Sequence, residues 1–225
     1  MNKVSFILLI IPLVLFTSCT TEPEDGDDWD AAKVCPETGT NAYGMLNRGT
    51  FTDERDGQVY KYTTIGKQVW MAENLNYDAL YSYCDDIFAD SCKTFGRFYC
   101  FFEKCDMDLK KLDTSLLKST CPLGWHIPSK DEWEELFKIM GEKAAERLKG
   151  KDYWGYERKE GKDYCTFDAL PSGHFGYSGV YSYFRFTSFA SSTITSDNEH
   201  VAIFLQSDIS FGTDELKMSV RCVKD

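Results

Sequence analysis

Residues 121–136 read CPLGWHIPSKDEWEEL, and no other stretch of the chain has so specific a local pattern. Ser129 and Glu132 match a capping box, in which a serine caps the first helical turn and a glutamate three residues later reaches back. The apolar side chains that follow have the spacing of one helix face: Trp133, Leu136, Phe137 and Met140. Gly141 is a typical stop signal. The stretch therefore predicts a turn followed by a capped amphipathic helix.

The composition predicts a folded, acidic domain. The chain has 225 residues, enough for one good-sized domain with an extension. Phe, Tyr and Trp make up 15% of it, whereas disordered and linker proteins are poor in these residues. The formal net charge is −11, which argues against a nucleic-acid partner because such proteins carry a concentrated basic face. The same charge argues against electrostatic attachment to anionic lipid.

The N-terminus predicts export and a lipid anchor. Lys3 precedes an apolar run over residues 6–16, which is too short to span a membrane. Small residues then lead to Cys19, a pattern typical of a bacterial lipoprotein signal in which residues 1–18 are removed and the cysteine is lipidated. The alternative is an ordinary signal peptide cut near Ser18. The predicted location is a membrane-anchored one, in the outer membrane at its periplasmic face or at the cell surface.

The cysteine count agrees with export. Lipidation of Cys19 would leave eight of the nine cysteines, an even number that predicts up to four disulfides in an exported chain. The eight are Cys35, Cys84, Cys92, Cys100, Cys105, Cys121, Cys165 and Cys222. The alternative is that some of them are free and buried.

The rest of the chain predicts an α+β domain over residues 51–225, after an acidic tether and lead-in segment over residues 19–50. Two β-rich runs around Gly66 predict a hairpin. The other predicted elements are buried aromatic residues 95–102, a second short helix over 142–149, long loops with short strands over 151–200, and strands at 200–205 and 216–223.

Several blocks of the sequence resemble the Fibrobacter major paralogous domain. They are Asp56–Tyr60, Ile65–Tyr77, Phe95–Tyr99, Cys121–Leu136, Phe167–Gly173 and Ser219–Val223. The resemblance covers about residues 50–225 in order, and it implies an exported lipoprotein of unassigned function. One departure is Ala190, which stands where the family often has a tryptophan.

A more distant resemblance connects Ile127–Glu134 and Val220–Cys222 with the C-type-lectin-like and sulfatase-modifying-factor group. It implies paired terminal strands, two short helices, long loops that carry any binding site, and a core disulfide between Cys121 and Cys222. We further expect Cys84–Cys92 and Cys100–Cys105, which are close in sequence, and Cys35–Cys165 by elimination.

Motifs for catalysis, metal binding and cofactor binding are missing from the sequence. The three histidines, His126, His174 and His200, have no ligand partner at metal spacing, and the cysteines lack zinc spacing. We therefore expect no metal, no cofactor and no catalytic activity.

Aromatic residues concentrated in the 151–200 region are the candidate ligand-binding residues, because exposed rings stack on sugars or anchor partners. They are Trp154, Tyr156, Tyr177, Tyr181 and Tyr183. The alternative is that they pack this region on itself. The predicted function is that of an envelope-anchored binding module for a polysaccharide or an envelope protein. The other hypotheses are a cysteine-pair oxidoreductase of the sulfatase-modifying type, which needs a free thiol, and a purely structural lipoprotein.

Overall fold

A computed structural model of the chain describes eight segments. These are residues 28–85, 90–101, 114–155, 161–176, 179–181, 183–197, 199–213 and 217–225. The helices are α1 (Ala31–Val34), α2 (Ser91–Phe95), α3 (Thr114–Ser119), α4 (Lys130–Met140) and α5 (Ala144–Leu148). The strands are β1 (Arg48–Thr52), β2 (Val59–Ile65), β3 (Gln68–Met71), β4 (Ser82–Tyr83), β5 (Phe98–Tyr99), β6 (Trp125–His126), β7 (His174–Gly176), β8 (Gly179–Tyr181), β9 (Thr187–Ile194), β10 (His200–Leu205), β11 (Ile209–Thr213), β12 (Met218–Ser219) and β13 (Val223–Lys224).

Two larger sheets and one small hairpin form an α+β fold, as predicted. One sheet has the order β1-β2-β3-β13-β6, and the other has the order β11-β10-β9-β12-β5-β4. The predicted hairpin around Gly66 is β2–β3, with Ile65 paired to Gln68. The last strand, β13, joins the sheet of this hairpin but pairs with β3 and β6 rather than with the first strand. Among the described residues no helix is long and apolar enough to cross a membrane.

Helix α4 forms as the sequence predicts. Its N-cap is Ser129, both hydrogen bonds of the capping box with Glu132 are present, and the helix ends at Gly141. The ring of Trp133 packs 4.6 Å from that of Trp70 and 5.3 Å from that of Phe189, measured between centroids. These contacts bring residues from α4, β3 and β9 together, so the helix side of the core is built on aromatic rings.

Disulfides join distant parts of the chain. Cys121 is bonded to Cys222, Cys35 to Cys165 and Cys84 to Cys92, as expected. Cys100 is also disulfide-bonded, and its expected partner, Cys105, lies outside the described residues. The lead-in segment belongs to the packed unit, because Cys35 is buried and the indole N–H of Trp29 donates to the carbonyl of Ile139.

Two further sequence predictions need correction. Residues 151–200 contain an eight-residue strand, β9, which pairs with β10 and β12 near the centre of its sheet. The predicted strand over 216–223 is instead divided between β12 in one sheet and β13 in the other. Alternation would place Ser219 and Arg221 on a polar face, but both are buried, because they lie where the chain crosses between the two sheets.

The C-terminus is fixed by a histidine between two carboxylates. Nδ1 of His126 lies 2.7 Å from Asp225 Oδ1, and Nε2 lies 2.9 Å from Glu132 Oε1. The hydrogen bond with Glu132, and then that with Asp225, raises the pKa of His126 above its ordinary value. Glu132 is also the capping-box residue, so protonated His126 ties the start of α4 to the end of the chain.

We expect the hydrogen bonds of His126 with Glu132 and Asp225 to stabilise the fold most at low pH. Because the folded-state pKa of His126 is raised, its contribution is complete below the unfolded pKa of about 6.5 and is lost as pH rises through the folded pKa. His126→Gln should therefore be less stable than the wild type at pH 5.5 and nearly equal to it at pH 9, measured by urea unfolding. The difference should be no more than about 1 kcal/mol, because the histidine side chain is 38% exposed.

Titrating groups shared by both proteins, such as the buried His200, cancel in this comparison. A stability difference of the same size at both pH values would contradict the assigned role of His126.

Candidate functional site

A polar cleft of about 140 Å³ opens between four segments of the chain. Its walls come from the start of β2, from the turn after β3, from α2 and from the loop at residues 168–170, with Arg221 at its base. The side chains that give it polar character are Gln58, Glu73, Asn74, Asn76, Lys93 and Asp168. Its volume is below the roughly 300–1,000 Å³ of most small-molecule pockets, so it suits one ring or one group of a larger ligand.

Arg221 organises the cleft from beneath. The residue is 1% exposed, and the guanidinium donates to Asn74 Oδ1 from Nε at 3.0 Å and from Nη2 at 2.5 Å. Further donations go to the carbonyls of Met71, Phe167 and Asp168, so these five hydrogen bonds match the five N–H groups of the side chain. The guanidinium also lies 4.6 Å from the centre of the Phe167 ring. Arg221 therefore orders the cleft and has no spare donor for a ligand.

Within the described residues, the charge of Arg221 is balanced by nearby carboxylates rather than by a direct ion pair. Burial lowers its pKa to about 10, and the negative charges of Asp168, Glu73 and Asp163 oppose that effect. Burial raises the pKa of Asp163 to about 6 and also raises that of Asp168. Asp168, which lines the cleft, and Asp163 in the same loop thus protonate more readily than usual, beside the fixed cation of Arg221.

The loop that carries Asp168 has unusual backbone geometry. Asp163, Thr166 and Asp168 all have positive φ, at 45°, 52° and 50°. Conformations of this kind persist only where the surroundings impose them, and they concentrate at functional sites. Here the loop is held by the Cys35–Cys165 disulfide and by hydrogen bonds from Arg221, and Asp163 Oδ1 accepts the N–H of Asp168.

An aromatic platform shares helix α2 with the cleft. We use this name for Phe95, Tyr153, Tyr183 and Phe184. The Phe95 ring lies 5.2 Å from that of Tyr153, 5.6 Å from that of Tyr183 and 6.2 Å from that of Phe184. Tyr153 is 50% exposed, whereas Phe95 is buried as the base of the cluster. Because Cys92, Lys93 and Thr94 line the cleft and Phe95 supports the platform, α2 places the two features next to each other.

The predicted ligand-binding residues have different positions. Tyr183 belongs to the platform and donates to Asp85 Oδ2 at 3.3 Å. Trp154 is buried and donates its indole N–H to the carbonyl of Ala169, so its ring is not an exposed stacking surface. Tyr181 lies in β8. Tyr156, Tyr177 and the predicted lipid site Cys19 lie outside the described residues.

Sequence reasoning did not select the polar residues of the cleft. Asn74, Asn76, Asp168 and Arg221 come from three regions that are far apart in the chain, so their spacing carries no signal of a shared site. The sequence did contain one indication of a shared role, because each of these four residues lies in one of the blocks that resemble the family.

The described residues show neither a metal-binding cluster nor a cysteine thiol. No group of three or more His, Cys, Asp or Glu side chains among them is arranged to hold a metal ion. All seven described cysteines are in disulfides, including Cys165 and Cys222, so a cysteine-pair reaction has no thiol in this part of the chain.

A model of the Fibrobacter succinogenes major domain matches residues 63–224, which include most of the cleft. The chain belongs to this family. No curated protein and no solved structure matches it. Family membership accounts for the sequence blocks that resemble the Fibrobacter domain, and it assigns neither a ligand nor a reaction to this chain.

We expect Gly96, which closes the cleft after α2, to tolerate no side chain. Its φ of 74° and ψ of −179° are open almost only to glycine, and an added Cβ would lie 2.6 Å from Asn74 Cβ and 2.8 Å from the Leu75 carbonyl oxygen. Gly96→Ala should lower the free energy of unfolding by about 3 kcal/mol, measured by urea titration.

Gly57→Ala is the matched control, since Gly57 also has positive φ but has open space around its Cβ position. Its cost should stay near 1 kcal/mol. Equal losses in the two variants would show that close packing at the cleft is unimportant for stability.

Proposed function

We propose that this chain is a binding module of the cell envelope, lipid-anchored through Cys19, that binds polysaccharide at the cleft and the aromatic platform. The acidic residues between Cys19 and Trp29 would hold the domain away from the membrane, because the chain belongs to the packed unit from Trp29 onward. Within this proposal the architecture is lectin-like, in agreement with the Cys121–Cys222 disulfide and with the last strand joining the sheet of the first hairpin.

The observation that carries the proposal is the position of the cleft beside the platform. Amide and carboxylate groups offer fixed hydrogen-bonding positions, and a half-exposed tyrosine next to them offers a flat apolar face. A sugar ring has the complementary surfaces, because its hydroxyl groups project at the edge and its C–H bonds form an apolar face. Aromatic side chains with one wet face are suited to such contacts.

An envelope protein is the other predicted partner. A protein would need a larger contact than this cleft provides, since stable protein interfaces bury about 800 Å² on each partner. The small polar cleft therefore favours a polysaccharide chain of which one residue enters.

The test is binding of the disulfide-intact domain to insoluble cellulose, xylan and peptidoglycan, compared with two tyrosine variants. Tyr153→Ala should weaken binding about 5- to 10-fold, because one stacking contact contributes about 1 kcal/mol. Tyr43→Ala is the matched control: Tyr43 is 46% exposed, close to the 50% of Tyr153, but it lies near Lys224 and does not line the cleft.

If the wild type bound none of the three polysaccharides and an envelope protein co-purified with it instead, the partner would be a protein and not a polysaccharide. Equal effects of Tyr153→Ala and Tyr43→Ala on binding would show that the platform is not part of the binding site.

A further inference from the structure

The polar lining of the cleft offers unfilled acceptors. The amide orientations can be deduced from Asp56, because an ionised carboxylate only accepts hydrogen bonds. Its Oδ2 lies 2.5 Å from Gln58 Nε2, so the other side of that amide presents Oε1. This oxygen must accept from Asn76 Nδ2, which lies 3.2 Å away. The remaining atom, Asn76 Oδ1, is buried and has no hydrogen-bond partner among the described residues.

Asp168 is a second acceptor in the same cleft. Within the described part of the chain its side-chain oxygens accept no hydrogen bond, although its backbone N–H donates to Asp163. Gly150 leaves the room that this side chain occupies, since a Cβ there would lie 2.2 Å from Asp168 Oδ1. A half-buried carboxylate without a donor is costly, so a ligand that supplies one would be favoured.

The cations of the cleft are already engaged. Arg221 uses its N–H groups within the protein. Lys93 Nζ lies 2.6 Å from Asp90 Oδ1 at the rim, and the nearby Lys61 is paired with Glu73 at 3.5 Å. An incoming carboxylate would meet Asp168 and Glu73 without a spare guanidinium to receive it, and this encounter between like charges is unfavourable.

From this arrangement we infer that the cleft selects an uncharged sugar residue, whose hydroxyl groups donate to Asn76 Oδ1 and to the Asp168 carboxylate, and that it rejects uronic acids. The inference rests on the proposed function, because it specifies the class of polysaccharide that the same site would bind. Neutral and acidic polysaccharides differ here in charge rather than in ring shape. Polysaccharide binding and selectivity for neutral sugars can therefore be tested separately.

The experiment measures calorimetric binding of hexasaccharides at pH 8, far above the ordinary pKa of a carboxyl group. The neutral probes are cellohexaose, xylohexaose and mannohexaose, and the acidic probes are the hexamers of galacturonic and mannuronic acid. The best neutral probe should bind at least 10-fold more tightly than either acidic one. Asp168→Asn should weaken neutral binding and narrow this ratio at least 3-fold, because it removes a charge and keeps the side-chain shape.

Asp131→Asn, on the exposed first turn of α4, makes the same change in net charge away from the cleft and should leave the ratio unchanged. Asn76→Ala provides a second variant should Asp168→Asn fail to fold, and it should weaken neutral binding at least 5-fold. Acidic probes that bind the wild type as tightly as neutral ones would overturn this inference and leave polysaccharide binding in place. Binding of neither series would overturn the proposed function and this inference with it.

Discussion

A buried guanidinium is the constraint on which the rest of this structure depends. The hydrogen bonds of Arg221 join its own segment to two others, whose partner residues lie 53 to 150 residues away in the sequence. An arginine that is almost completely buried is expensive unless its N–H groups are satisfied. Its carbonyl and amide partners must therefore stay in place, and they belong to the same turns that form the walls of the cleft. Stability and site geometry are linked through this one side chain.

The disulfides reinforce the same region. Cys222 follows Arg221 directly and is bonded to Cys121 across 101 residues, while Cys165 precedes Phe167 and is bonded to Cys35 across 130 residues. Closing loops of this length restricts the unfolded chain by about 4–5 kcal/mol each in the chain-entropy description. An oxidising compartment, which the proposed export would provide, would thus favour the arrangement that positions the cleft.

Local features were the ones that could be predicted from the sequence. The capped helix α4, the hairpin β2–β3 and strand β10 depend on neighbouring residues, and all three appear where the sequence placed them. Arg221 could not be predicted as buried, because alternation along one strand assumes a single sheet, whereas the chain crosses here between two. Trp154 shows a related limit: its burial depends on the Ala169 carbonyl, which no pattern near Trp154 reveals.

The cleft itself depends on tertiary contacts between residues that are far apart in the sequence. Its character follows from the buried cation: Asp168 and Glu73 balance the charge of Arg221, and the engaged N–H groups of Arg221 leave acceptors as the available contacts. Under the proposed selectivity, a site that is structured for stability would discriminate between ligands by their charge.

The most direct test of this account is a double-mutant cycle on the pair at the base of the cleft. The free energy of unfolding would be measured for Asn74→Ala, for Arg221→Met and for the double variant. Loss of Asn74 alone should cost about 3 kcal/mol or more, because it leaves a buried charge short of acceptors, and the two changes should couple by about 2 kcal/mol. Effects that add within about 0.5 kcal/mol would contradict the central role of Arg221.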